Sequence, residues 1–279
     1  MKKALLDYGV TAVASAPAIE GKLHALLLDA IKEASEATSR EIALIPCFRI
    51  PLKVDEKPVD DYLRWITYYD IESKIVGNKL LEKYSNDPIL QCREGWKNKF
   101  PTALRILHPY SEEEILKLKI DYDRLKKEIR SLEGFRILLA EPGSETDFLA
   151  MTGRLDLLND FAAILRDSLK CPIVLATHHA GSTIPVLETS EIRFDGYVTP
   201  VNMLGVMMLP TQELAVKAIR NAKKPVIAIK PLAGGRIRPN EAFKYVYRER
   251  RIDSCMVGVS SEEEVDEDLK VVENILRRE

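Results

Sequence analysis

The sequence predicts an α/β protein, a single parallel (β/α)8 barrel spanning 1–279, and three observations carry that prediction. Eight short apolar runs rich in β-branched residues alternate with eight helical patterns along the 279 residues, and such alternation makes a parallel sheet with right-handed crossovers. The runs are apolar almost throughout, as strands buried on both faces are. A chain of this length suits one barrel as well as two average domains, and the count of eight favours the barrel.

In chain order, strands are expected at 11–16, 42–48, 103–108, 135–140, 172–177, 196–201, 225–230 and 254–259. Helical patterns fall between them at 21–37, 58–85, 111–132, 153–169, 182–190, 211–222, 239–249 and 261–277. Start signals support several of these. Ser111 precedes EEEILKL, Thr211 precedes QELAVKAI, and Ser261 with Glu264 forms a capping box. The stretch 49–100 is long for one crossover, so an inserted helical element is expected there, after the second strand and near one mouth of the barrel.

Composition excludes several classes. The chain is 46% hydrophobic and 30% charged, with a net charge of −2. Both signs are interspersed, which leaves no basic footprint for nucleic acid or a membrane surface. The amino-terminal MKKALLDYGVTAV has too short an apolar run for a signal peptide, and no run is long enough for a membrane span. Cys47, Cys92, Cys171 and Cys255 lie far apart without a CxxC, which points to reduced thiols and a cytoplasmic setting. Only two glutamines beside abundant Glu and Lys hint at a thermophile. A homo-oligomer stays open.

Chemistry in a barrel is built at the carboxyl ends of the strands. Those positions hold Ser15, then Cys47 and Arg49, His108, Glu141, His178 and His179, Thr199 and Asn202. Lys230 follows, with Gly234, Gly235 and Arg236, and then Gly258, Ser260 and Ser261. The candidate catalytic set is Lys230, Glu141, His108 and His179: a lysine to polarise or attack a carbonyl, and a carboxyl group and histidines to move protons. The glycine-rich turn Gly234–Gly235 with Arg236, together with Gly258 and Ser260, is the candidate cofactor or phosphate site. Glycine lets backbone N–H groups approach an anion, and Arg adds charge-assisted bonds. Glu262, Glu263 and Glu264 open the last helix and repel an anion there, so it belongs nearer Gly234–Arg236 than Ser261.

Bland readings stand beside these. Lys230 and Glu141 can form a structural ion pair, and His108 can simply close a strand before Pro109. His178 and His179 cannot both face inward from a straight strand. No metal site is expected, because the histidines lack HxH or HxxxH spacing and a lysine in the same mouth opposes a cation.

FDGYVTPVNML (194–204), KPVIAIKPLAGGRIRP (224–239) and SCMVGVSSEEEVDEDL (254–269) resemble the last three βα units of aldo-keto reductases. VLATHHA falls where that family has its fifth strand. The resemblance covers about 170–275 and implies a (β/α)8 barrel with NADP held by the loops after the seventh and eighth strands. It also implies a catalytic Asp, Tyr, Lys and His. Here Ala14 stands where the aspartate is expected, Ile19 near the tyrosine, and Pro46 or Cys47 at the lysine, while RILHPY supplies a matching His108. Without the tyrosine acid and its lysine, hydride transfer to a carbonyl loses its proton donor. The leading expectation is therefore an enzyme binding a small anionic, phosphorylated metabolite, lyase- or isomerase-like. A divergent NADP-dependent reductase and a non-catalytic metabolite- or nucleotide-binding barrel are the alternatives.

Overall fold

The apolar runs do form parallel strands in sequence order in the computed structural model, which describes residues 1–15, 22–248 and 252–277. Helix α1 (Lys2–Tyr8) leads into β1 (Ala12–Ala14), and α2 (Lys22–Thr38) into β2 (Ala43–Ile45) and β3 (Cys47–Phe48). β1 pairs with β2, Ala14 opposite Ile45. Five more strands follow after an insertion that holds β4 (Leu52–Val54), β5 (Lys57–Pro58) and β6 (Lys119–Ile120). β7 (Glu141–Pro142) pairs with β3, placing Glu141 opposite Cys47. Single parallel bridges join Leu44 to Ile137 and Ala140 to Ile173. β8 (Val174–Ala176), β9 (Gly196–Pro200), β10 (Val226–Ile229) and β11 (Ile252–Cys255) complete a continuous parallel order.

The register sorts side chains onto two faces. Leu175, Tyr197 and Val226 pack with Phe148, Phe161 and Leu165 of the helical layer. Val174, Ala176 and Val198 face the other way and cluster with Leu139, Ile227, Ile229 and Met256. That second cluster is the interior that the parallel strands curve around, on the face away from the helices.

Two expectations need correction. The run 103–108 is not a strand: it lies mostly within α5 (Trp96–Ile106). Trp96, Phe100, Ala103 and Leu104 recur at helical spacing, and the two aromatic rings are buried. That longer pattern overrides the short apolar run. With this strand gone, β7 sits directly beside β3, and among the described residues no ladder joins β11 to β1. The eight-stranded closed barrel is thus replaced by a parallel arrangement with one seam. Helices span the seam: Tyr8 OH donates to Asp266 Oδ1 at 2.6 Å and Lys3 Nζ lies 3.2 Å from the same atom, on α13 (Glu262–Leu276).

The insertion is larger and more broken than expected. The pattern 58–85 divides at Gly77, whose φ of 69° suits glycine, into α3 (Asp61–Val76) and α4 (Lys79–Asn86). The pattern 111–132 divides into α6 (Glu112–Leu116) and α7 (Tyr122–Arg130) around β6, which pairs antiparallel with β4. Asp87 pins this segment to the loop after β9. Its buried carboxylate accepts from the N–H groups of Ile89 (3.0 Å), Leu90 (3.4 Å) and Met207 (2.7 Å). Lys83 Nζ donates to Gly205 O at 2.6 Å beside it. The insertion therefore lies against the carboxyl-terminal side of the strands, as expected from its length.

The remaining helices α8 (Glu145–Met151), α9 (Leu155–Leu169), α10 (Ala180–Glu188), α11 (Gln212–Asn221) and α12 (Pro239–Arg248) alternate with the strands. Thr211 and Ser261 cap α11 and α13 through side-chain acceptance from Leu214 and Glu264 N–H groups, as their sequence signals require.

Candidate active site

The mouth is built around one rung, Cys47 on β3 opposite Glu141 on β7, tied by the Glu141 N–H to Pro46 O bond of 2.9 Å. Both side chains are buried. Burial pushes the Glu141 carboxyl up to about 7; the Cys47 thiol and the Lys230 ammonium oppose that shift. The Cys47 thiol is itself pushed up by burial and by Glu141, with Lys230 pulling the other way. A carboxyl group that gains and loses its proton near neutrality is what general acid–base chemistry requires.

Lys230, just past β10, acts on this rung through its charge. Ile229 belongs to the interior cluster, so a continued strand would turn Lys230 outward. Lys230 instead adopts a φ of 54°, the left-handed region, and the chain turns there. Burial lowers the ammonium's pKa, while Glu141, Asp87 and Cys47 hold it up. It is half-buried, and among the described residues no ion pair or hydrogen bond of its ammonium lies within bonding distance. The bland reading of a direct Lys230–Glu141 salt bridge is not what the geometry gives.

The histidine pair divides as alternation demands. Val174 and Ala176 face the interior, and His178 continues that face. His178 is held neutral, its pKa pushed well below the ordinary value by burial and then by Lys230, His179, Arg64 and Arg93. His179 points into the helical wall, among the rings of Trp65, Tyr68 and Tyr84. There its Nδ1 lies 2.9 Å from Glu72 Oε1, which also accepts from Ser182 Oγ at 2.7 Å. Burial disfavours the His179 imidazolium, but Glu72 and Asp147 outweigh it and raise the pKa. His179 therefore sits in the helical wall and does not join Glu141 and Cys47.

His108 is also displaced. The helix α5 replaces its strand, and His108 lies exposed in the segment that follows. It does not join Lys230 and Glu141. In the turn after β10, Gly234 and Gly235 take φ values of 70° and 78°. Arg236 is exposed and closes this turn on itself, its Nη1 donating to Ala233 O (3.0 Å) and Gly234 O (3.2 Å). Gly258 and Ser260 are exposed, and Ser260 gives its N–H and hydroxyl to Glu264 Oε2 at 2.6 and 2.8 Å.

A chain of charges beside the rung escaped the sequence reading. Glu145 Oε1 accepts from Arg64 Nη1 at 2.6 Å and from Arg49 Nε and Nη2 at 3.2 and 3.1 Å. Arg64 and Arg93 share Asp61. Partners drawn from β3, α3 and α8 are far apart in sequence, so no local signal announces them. Only Arg49, just past a strand end, was legible.

No family model and no curated protein matches the sequence. Solved structures do. A "putative aldo-keto reductase" from Pseudomonas aeruginosa superposes with a TM-score of 0.54 at 13% identity, over 97% of this chain and 79% of that one. A second structure so described gives 0.54 and 13% over 98% and 80%. The fold is aldo-keto reductase-like. An aldo-keto reductase of Bombyx mori in complex with NADP, at a TM-score of 0.35, 12% identity and coverage of 78% and 80%, is too distant to carry an argument. At these identities the likeness is one of fold. Within this aldo-keto reductase-like fold, Ala14 ends β1 and Cys47 opens β3, where the sequence resemblance expects the aspartate and lysine, and Ile19 lies outside the described residues.

Proposed function

We propose that the chain is a divergent aldo-keto reductase-like enzyme whose mouth moves a proton to or from a small carbonyl compound. Glu141 is the acid–base group and Lys230 the cation that polarises the carbonyl oxygen. The observation that carries this reading is the Cys47–Glu141 rung, whose buried carboxyl group is pushed up to about 7 and lies within the electrostatic reach of Lys230. As the carboxylate, Glu141 takes a proton from the carbon next to the carbonyl, the electron pair moves onto oxygen beside the ammonium, and the protonated Glu141 returns a proton. As the acid, it can protonate the oxygen of a carbonyl being reduced, the role for which the sequence offered no tyrosine.

The fold likeness favours the oxidoreductase form over a lyase- or isomerase-like one, and that form implies NADP. The residues at hand do not fit its phosphates at α13. Glu264 already occupies the Ser260 N–H, and Glu262, Glu263 and Glu264 open the helix. No hydride step is derived for that reason. An anion at Gly234, Gly235 and Arg236 requires Arg236 to leave the carbonyls it now caps. This favours, as a second reading, the lyase- or isomerase-like form, in which Lys230 polarises or attacks the carbonyl and no dinucleotide is needed.

One screen tests both. Small aldehydes, ketones and 2-oxo acids are incubated with the protein in deuterated buffer, with and without NADPH, following label next to the carbonyl and NADPH oxidation. Label uptake alone supports the second reading, and NADPH oxidation supports the reductase. Glu141→Gln should abolish whichever is seen. Neither signal from any compound refutes the proposal and leaves the non-catalytic barrel.

A further inference from the structure

We infer that Cys47 is a nucleophile that captures a small aldehyde as a thiohemiacetal, with Glu141 carrying the thiol proton to the carbonyl oxygen. This rests on the carbonyl reading above and adds the atom that holds the substrate.

The surroundings of the thiol are the first observation. A buried cysteine commonly serves as a small apolar residue packed among others. Cys171 does so, as a member of the main hydrophobic cluster. Cys47 is equally buried, at 6% exposure, yet belongs to neither apolar cluster. Its neighbours are polar. Its N–H donates to Ser15 Oγ at 3.0 Å, and the ladder sets Glu141 opposite it. Residues paired across parallel strands project from the same face, so thiol and carboxyl group stand side by side. The carboxyl group has that thiol beside it and no other hydrogen bond or ion pair among the described residues.

Gly143 is the second observation. A Cβ there would stand 3.6 Å from Cys47 Sγ and 2.8 Å from Phe48 O, so a larger residue does not fit. The bond from Gly143 N–H to Phe48 O, at 2.7 Å, fixes this close approach. No side chain at position 143 therefore covers the sulfur.

Burial and Glu141 keep the resting thiol protonated, and a protonated thiol needs an adjacent base before it attacks. Glu141, as the carboxylate, takes the Sγ proton while sulfur forms a bond to the carbonyl carbon. The π bond of the carbonyl breaks, its electron pair moves onto oxygen, and Glu141 returns the proton there. No electrons enter or leave, so the step needs no oxidant and no reductant. An aldehyde suits this site better than a ketone. The hydrogen on its carbonyl carbon leaves room for sulfur, and the two flanking side chains are both buried.

Carbon NMR of the whole protein with acetaldehyde labelled at its carbonyl carbon reads the adduct as a sulfur-bound tetrahedral carbon, distinct from the free aldehyde and its hydrate. Wild type and Cys92→Ser should show that signal, and Cys47→Ser and Cys47→Ala should lose it. Labelled acetone should give none. In Glu141→Gln, exchange between free and bound aldehyde should slow about a hundredfold, the contribution of a positioned proton carrier. Acrolein, which alkylates thiols irreversibly, gives a readout on wild type alone should both Cys47 variants fail to fold. Peptide mass spectrometry should then find Cys47 alkylated and protected by acetaldehyde, and the exposed Cys92 alkylated and unprotected. No adduct in wild type, an adduct that survives in Cys47→Ser, or Cys47 untouched by acrolein overturns the inference, as does unchanged exchange in Glu141→Gln. An adduct formed as expected without label uptake or NADPH oxidation defeats the proton-transfer reading and leaves the thiol site. Turnover that Cys47→Ser leaves untouched does the reverse.

Discussion

Glu141→Gln replaces a buried ionisable oxygen by an amide of nearly the same shape, and its effect on stability should depend on pH. In the folded chain the carboxyl titrates at about 7 against an ordinary value of 4.5. A raised carboxyl pKa means that the folded state holds its proton longer than the unfolded chain. The stability this group allows is fully present below about 4.5 and is lost as pH rises through about 7. At 1.36 kcal/mol per pH unit, the ionised form costs about 3.4 kcal/mol once both states are deprotonated. Glutamine has no such dependence. The stability difference, variant minus wild type, should therefore rise by about 2.5 kcal/mol between pH 5 and pH 8.5. Urea denaturation of both proteins at the two pH values measures it directly. Parallel pH profiles, or a wild type that gains on the variant as pH rises, would refute a neutral Glu141 and with it the acid–base role.

Three further outcomes follow from contacts elsewhere. Asp87→Ala leaves three N–H groups without their acceptor and takes the carboxylate from Lys83, which keeps the Gly205 carbonyl; it should cost about 2–4 kcal/mol in chemical denaturation and speed amide exchange of Met207. An unchanged exchange rate there would show that the insertion is held by other means. His179→Leu removes the imidazole beside buried Glu72, leaving it the Ser182 and Tyr84 hydroxyls, and should cost about 3–5 kcal/mol. Because the His179 pKa is raised above 6.5, its contribution in wild type should be full below that pH and decline above it, which calorimetric melts across pH 6–9 would check. Any phosphorylated ligand held at Gly234, Gly235 and Arg236 should weaken by about 1.5–3 kcal/mol in Arg236→Ala, and a titration with no change restricts Arg236 to closing its own turn.

The strands β8 to β10 were legible almost to the residue, because a parallel strand buried on both faces announces itself as an apolar run whatever its neighbours do; β11 (Ile252–Cys255), half-exposed and less apolar, was expected at 254–259 and begins two residues earlier. The first half was harder for identifiable reasons. ALRILH has the composition of a strand, but Trp96 and Phe100 just before it set a helical phase that a short window misses. Gly77 was the visible break in the 58–85 pattern and needed more weight. At the site, alternation required one histidine of the pair to face inward, yet the phase depends on which side Val174 and Ala176 take, and only β9 fixes that. Glu141 and Lys230 were readable as strand-end residues. The reach of Lys230 was not, since it depends on a left-handed backbone that no residue type other than glycine signals. Glu145 and its arginines come together only once β3, α3 and α8 are packed.

The seam between β11 and β1 gives α1 a role beyond covering surface. A closed barrel hides its strand edges by pairing them, whereas here, among the described residues, neither flanking strand has a ladder partner at the seam and the side chains are largely half-exposed or exposed. Such edges are templates for a strand from another molecule. The clasp of Tyr8 and Lys3 on Asp266 draws α1, which leads into β1, onto α13, which follows β11, and so ties together the elements on the two sides of the seam. A lesion at Asp266 would then register less as lost stability than as chains that find one another, solubility failing while the Cys47–Glu141 rung stays intact.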